Sequence, residues 1–246
     1  MKADPTAQAA LLELQAQDAI LAQLQHRRNT LPEIARITEL EAQIKDVDGT
    51  RIELDTQVSD LTREQKKADT EVEMVKTRRT RDEERLNSGA VSNPKDLASL
   101  QHELVALERR ISTLEDAELE IMEKLEEAQT GLAVVQGDLD SLKADRDEQV
   151  AARDAAIEVL DQQAADTQAE RGTSAAGIPV DLITLYDKVR GQYGVGAAAL
   201  RARRCEGCRL EINGADLREL AAAPEDEVLR CPECSRILIR TPESGL

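Results

Sequence analysis

A mainly α fold is predicted: a long antiparallel coiled-coil helical hairpin followed by a small C-terminal β domain. Three observations carry it. Apolar residues recur at heptad spacing along two long segments, a helix stop and a helix start lie side by side between them, and the four cysteines fall in two C-x-x-C pairs near the end. Composition agrees, because the 246 residues include no Trp, no Phe and only two Tyr, the side chains that usually fill a thick interior. Ala, Leu, Val and Ile set among 33% charged residues are the profile of long helices packed side by side.

The first seam runs through Ile37, Leu40, Ile44, Val47, Leu54, Val58, Leu61, Ala68, Val72 and Val75, with Arg51 and Gln65 as polar intruders. The second starts at Leu97 and Leu100 and continues through Leu104, Leu107, Ile111, Leu114, Ile121, Leu125, Ala128, Leu132, Val135, Leu139 and Leu142. Glu118 interrupts it, and Arg146, Gln149 and Arg153 replace its apolar residues before Ala156 and Leu160 restore it. Alternating steps of three and four, held over several heptads, mark a coiled-coil seam.

Between the seams lies LNSGAVSNPKDL, residues 86–97. Gly89 can adopt the left-handed conformation that ends a helix. Asn93 is the expected N-cap of the next, with Pro94 at its first position and Asp96 at the positive end of its dipole. The helices extend over residues 8–86 and 94–171, each about 115 Å long at 1.5 Å per residue. Folding the chain back near residue 90 places position 37 opposite 143 and Gly49 opposite Gly131. The seams weaken at the first of these levels, where Pro32 also lacks a backbone donor, so a bend is expected near residues 28–36 and 144–152.

The net charge of −17 is uneven: residues 115–148 hold 12 acids and three bases, whereas residues 198–246 hold nine acids and eight arginines. The acidic segment repels phosphate backbones and anionic headgroups, which argues against nucleic-acid coating or membrane binding along it. Lys76, Arg78, Arg79 and Arg81 are expected to form ion pairs within the hairpin; His26 and His102 stand isolated. The N-terminal stretch has no apolar signal core, and no run of about 18 apolar residues occurs, so a soluble cytoplasmic protein is expected.

RGTSAAGIP, residues 171–179, breaks the helical pattern, and VDLITLYDKVR, residues 180–190, reads as a short helix with Asp181 as a cap. The expected organisation is a hairpin over 1–171 with its turn at 87–93, a linker over 172–179, and a helix-plus-β domain over 180–246. That domain is built around Cys205, Cys208, Cys231 and Cys234, in the spacing C-x2-C-x22-C-x2-C. Two tight loops that each supply two thiolates make a closed tetrahedral site, so one structural Zn2+ per chain in a zinc ribbon is expected. A disulfide pairing lacks an export signal, rubredoxin-like iron lacks aromatic packing, and a redox dithiol lacks a thioredoxin-like unit. Catalytic zinc keeps an open position, which four cysteines do not leave. RLEI, RILIR and AAALRARR are expected to supply the strands. Arg204, Arg209, Arg230 and Arg236 flank the cysteines and can offset the charge of a four-thiolate site.

The segments LPE at 31–33, VSNPKDLASLQHEL at 91–104 and CEGC with CPECSRILI at the end resemble the bacterial C4-type zinc-ribbon family with a long N-terminal coiled-coil hairpin. The resemblance covers nearly the whole chain and implies a non-enzymatic adaptor; relatives are linked to sigma-54, to flagellar or type III secretion, and to RNA. Ser235 stands where that family usually has Gly, and Ile239 where an aromatic residue is common. The expected function is a scaffold that binds protein partners in transcription or secretion regulation through the hairpin and the ribbon, self-association being open to it as well. The alternative is RNA or DNA binding through Arg201, Arg203, Arg204, Arg209, Arg236 and Arg240. No catalytic constellation is visible.

Overall fold

The computed structural model describes residues 1–246, which form α1 (Pro5–Asn29), α2 (Pro32–Asn87), α3 (Pro94–Ala176), α4 (Val180–Tyr193), β1 (Ala197–Arg201), β2 (Arg204–Cys205), α5 (Gly214–Ala222), β3 (Leu229–Arg230) and β4 (Ile237–Ile239). The chain divides into two compact units, Ala35–Val150 and the combination of Met1–Ile34 with Ala151–Leu246. This differs from the expected partition at residue 171. No helix is long and apolar enough to cross a membrane.

The Ala35–Val150 unit is the coiled-coil hairpin. Its buried residues, among them Ile37, Leu40, Val72, Leu100, Leu107, Ile111, Leu125, Ala128 and Leu139, all fall on the two predicted seams. Gly89 takes a φ of +69° just past the end of α2. The Asn93 side chain accepts from the Lys95 N–H at 3.1 Å, capping α3 ahead of Pro94. Lys76 pairs with Glu115 at 2.7 Å, Arg78 with Glu103, and Arg79 with Glu83 at 4.0 Å, so three of the four expected cations are paired within the hairpin, and Arg81 forms no ion pair. Gly131 does not face Gly49: a methyl added to it would lie 3.8 Å from both Leu54 methyls, while one added to Gly49 would meet nothing. Subtraction about the turn ignores the stagger of knobs packing into four-residue holes, and the register differs accordingly.

The expected discontinuity is present on the first arm only. The helix stops at Asn29, Thr30 turns back onto His26 and Arg27, and α2 restarts at Pro32. α3 passes through residues 144–152 without a break. The boundaries between the compact units nevertheless fall at these two levels, 34/35 and 150/151.

In the other unit, α1 and α4 pack against a four-stranded sheet of order β2-β1-β4-β3, and Ala175 at the end of α3 packs against their shared apolar cluster. β1 and β4 run parallel, pairing Ala197 with Ile237 and Ala199 with Ile239. α1 is therefore a core element of the ribbon unit: Ala7, Leu11 and Leu14 share one apolar cluster with Leu182, Tyr186, Ala197, Ile237 and Ile239. Each fully buried Leu or Ile there contributes about 1.5–3 kcal/mol by leaving water. The segment before α1 is fixed by Ala3 N–H donating to Asp226 C=O at 2.8 Å and Val228 N–H donating to Met1 C=O at 3.0 Å.

Three local expectations change. The linker is shorter, because residues 172–176 continue α3. Asp181 lies in the first turn of α4, whose cap position is Pro179. RLEI contributes only a single bridge, Glu211 to Arg204, and the β1–β2 turn is made by Ala202 and Arg203 at φ of +45° and +64°. That conformation disfavours residues with a Cβ. Here it is held from outside, with the Ala202 and Arg203 N–H groups donating to the Glu243 and Ser244 carbonyls at 2.8 and 2.9 Å. α5 was not expected; Asn213 caps it by accepting from the Ala215 and Asp216 N–H groups at 3.0 Å.

A buried polar cluster joins three of these helices. Asp18 of α1, with 1% of its side chain exposed, meets Arg171 of α3 at 2.6 Å and Arg190 of α4 at 3.2 Å. The Tyr186 hydroxyl donates to the same carboxylate at 2.6 Å. Burial and the Asp18 carboxylate push the Tyr186 phenol well above its ordinary value.

Candidate metal centre

Two knuckles of like construction present the cysteines. In the first, Cys205 N–H donates to Leu210 C=O at 3.1 Å and Arg209 N–H returns to Cys205 C=O at 2.7 Å. In the second, Cys231 N–H donates to Arg236 C=O and Ser235 N–H returns to Cys231 C=O, both at 2.9 Å. Each loop reverses through a left-handed residue, Arg209 at φ +61° and Ser235 at φ +60°, a position that glycine fills without strain. β2 delivers the first loop at Cys205, and β3 delivers the second at Cys231.

The four Sγ atoms lie within 4.8 Å of one another, and Cys205–Cys234 and Cys208–Cys231 are each 3.9 Å apart. Those separations exclude disulfides, whose sulfurs sit about 2.05 Å apart. They fit a tetrahedral zinc, since Zn–S bonds of about 2.3 Å place ligand sulfurs about 3.8 Å apart. Cys205 and Cys231 are buried, the other two half-buried. Burial pushes the Cys205 and Cys231 thiols up. It acts the same way on Cys234, but the backbone N–H and side chain of Arg236, helped by Cys231 and Cys208, bring that thiol down to about 7. The buried Cys205 and Cys231 resist ionisation by themselves and need a central cation to become thiolates, and zinc supplies that charge.

The arginines part into two groups. Arg201, Arg203, Arg204 and Arg209 are exposed. Arg201 pairs with Glu243 at 3.1 Å and Arg204 with Glu211 at 3.9 Å. Arg236 and Arg240 are half-buried, and their donors serve the fold. Arg240 donates to the Leu220, Ala223, Glu225 and Glu227 carbonyls at 2.9–3.5 Å, closing the end of α5. Arg236 donates to the Tyr193 C=O at 3.1 Å, and its guanidinium carbon lies 5.5 Å from the Tyr193 ring centroid. Arg230 braces the second knuckle by donating through Nε to Ser235 C=O at 2.8 Å. Sequence reasoning missed these commitments because the acceptors are main-chain carbonyls, which no side-chain motif announces.

Residues 14–194 match the CT398-like coiled coil hairpin domain, and residues 204–238 match the C4-type zinc ribbon domain. An uncharacterised protein of Mycobacterium tuberculosis is 38% identical over 240 residues, covering 98% of both chains. One of Mycobacterium leprae is 28% identical over 230 residues, covering 89% of this chain and 94% of its own. A solved structure from Mycobacterium smegmatis has a TM-score of 0.88 at 36% identity, spanning 98% of this chain and all of that one. CT398 from Chlamydia trachomatis has a TM-score of 0.72 at 16% identity, over 96% of this chain and 98% of its own, a likeness of fold alone.

Proposed function

Because the chain belongs to the family of CT398-like coiled-coil hairpin proteins with a C4-type zinc ribbon, we propose that it is a non-enzymatic adaptor for protein partners. The closed cluster of four cysteine sulfurs carries this reading. Cys205, Cys208, Cys231 and Cys234 fill every position of a tetrahedral zinc, leaving none for water or substrate. One Zn2+ per chain then stabilises the apolar cluster of Ala198, Leu200, Ile212, Leu229 and Leu238 that surrounds the cysteines. The hairpin and the ribbon both supply partner surface, the hairpin with Met74, Val105 and Leu119 exposed among its charges.

Nucleic-acid binding through the ribbon is less well supported. Arg236 and Arg240 are engaged inside the unit, and Arg201 and Arg204 already face carboxylates. Across residues 198–246 as a whole, eight arginines stand against nine acids, so the segment has no positive excess.

Metal analysis of the intact protein should find one zinc per chain; finding none refutes the metal centre. Crosslinking capture, run with and without nuclease, tests the partner class. The adaptor reading expects the same partner protein in both arms, lost with Cys231→Ser. Recovery only without nuclease overturns it, as does salt-sensitive RNA binding that Arg203→Gln/Arg209→Gln abolishes.

A further inference from the structure

Arg236 sits two residues past the last cysteine, but its side chain does not stay on its own knuckle. It crosses to the first one. A methyl added to Gly207, between Cys205 and Cys208, would lie 2.8 Å from Arg236 Cδ and 3.0 Å from the Ala198 methyl. Gly207 is thus the space through which the arginine stem passes, where any side chain would compete with it. Beyond the stem, the guanidinium rests on the Tyr193 ring and donates to the Tyr193 carbonyl at the end of α4. Its Nε–H is fully buried and has no hydrogen-bond partner among the protein atoms. Other flanking cations are differently placed: Arg204 faces Glu211 at the surface, and Arg230 donates to the Ser235 carbonyl.

A buried N–H without an acceptor is costly, and a four-thiolate zinc centre has a net charge of −2 that needs donors. The two needs match. We propose that Arg236 is the internal counter-ion of the zinc–thiolate centre, its Nε–H directed at the metal-bound sulfurs, and that its grip on Tyr193 couples metal occupancy to the docking of the C-terminal end of α4. This rests on the zinc reading above. Arg236 is a positioning residue, acting on the metal through the cysteines.

The experiment loads the full-length protein with zinc and measures the rate of transfer to a coloured chelator present in excess. Metal analysis beforehand separates the two readings, because a wild-type protein without zinc sinks the metal centre itself. Arg236→Gln is expected to bind one zinc but to release it about 10- to 100-fold faster, the usual effect of removing a group that supports a metal ligand. Arg204→Gln is the control for general positive charge and is expected to release at the wild-type rate. Zinc removal should change the near-ultraviolet circular dichroism of the wild-type tyrosines, a change that Arg236→Gln should largely lose. Tyr193→Leu leaves Arg236 in place and guards against a Gln variant that fails to fold; it should also accelerate release. Unchanged release in both the Gln and Tyr193→Leu variants overturns the proposal, and so does equal acceleration by Arg204→Gln.

Discussion

Replacing Asp18 by Ala should destabilise the ribbon unit by about 3 kcal/mol, and the cluster around it gives the reasons. Removing one partner of a buried ion pair costs about 3–5 kcal/mol, because the opposite charge is left without compensation. Asp18 has 1% of its side chain exposed, but Arg171 and Arg190 keep 18% and 34%, so water can reach the stranded cations. Arg171 also retains Asp187 at 3.4 Å, and the Tyr186 hydroxyl retains Gln15 Oε1 at 3.2 Å. Those residual partners set the cost at the lower end of the range. The two tyrosines are Tyr186 and Tyr193, both in α4, and the chain has no Trp or Phe. Tyrosine fluorescence during urea unfolding therefore reports this unit without interference from the hairpin. With a slope of about 2 kcal/mol per molar urea, the midpoint should fall by about 1.5 M. Removing all three charges together, as Asp18→Leu with Arg171→Met and Arg190→Met, should cost less than Asp18→Ala alone, since no unpaired charge stays behind. A midpoint for Asp18→Ala within about 0.25 M of wild type would refute the argument.

Gly196→Ala should also destabilise this unit: its methyl would fall 2.5 Å from the Tyr186 ring and 2.9 Å from the Tyr186 carbonyl. Such overpacking costs about 1–3 kcal/mol or more, and a wild-type urea midpoint would contradict it. Ser235→Gly should stabilise the zinc-loaded protein by about 1 kcal/mol by relieving the left-handed backbone at φ +60°; a lower midpoint would count against that assignment. The third prediction concerns alkaline pH. The folded-state pKa of Tyr186 is raised, so its contribution to stability is complete below the unfolded value of about 10 and declines as pH rises beyond it. Tyr186→Phe should therefore flatten the loss of stability above pH 10, which urea midpoints at several pH values would measure.

The hairpin was legible because its burial is one-dimensional. Every core residue from Ile37 to Leu139 answers to a step of three or four, and Gly89, Asn93 and Pro94 mark the turn in local chemistry. The cysteines were legible for a related reason, since each pair converges within one loop. The packing of α1 against the sheet was not legible because the face it buries is partly polar: Gln8, Gln17 and Asp18 lie inside with Leu11 and Leu14. A periodicity built on apolar residues does not register such a face. The β1–β2 turn escaped because Ala202 and Arg203 adopt left-handed backbone without the usual glycine or asparagine, held there by carbonyls about 40 residues further along. Arg236 and Arg240 read as surface cations because burial is a property of the fold and leaves no mark on an isolated arginine.

The place of α1 within the ribbon unit also sets an order of assembly. Lys2 pairs with Asp226, a separation of 224 residues, and Leu14 shares a core with Ile239. Residues 35–150 hold their own contacts and can zip together while the chain is still being synthesised. α1 must meanwhile wait for β4. At about 5–20 residues per second, translating the roughly 90 residues that follow the hairpin unit takes about 5–20 s. Early in that interval Leu11 and Leu14 lack Leu182 and Tyr186, and throughout it they lack Ile237 and Ile239, so an early-made helix is among the last to complete its packing.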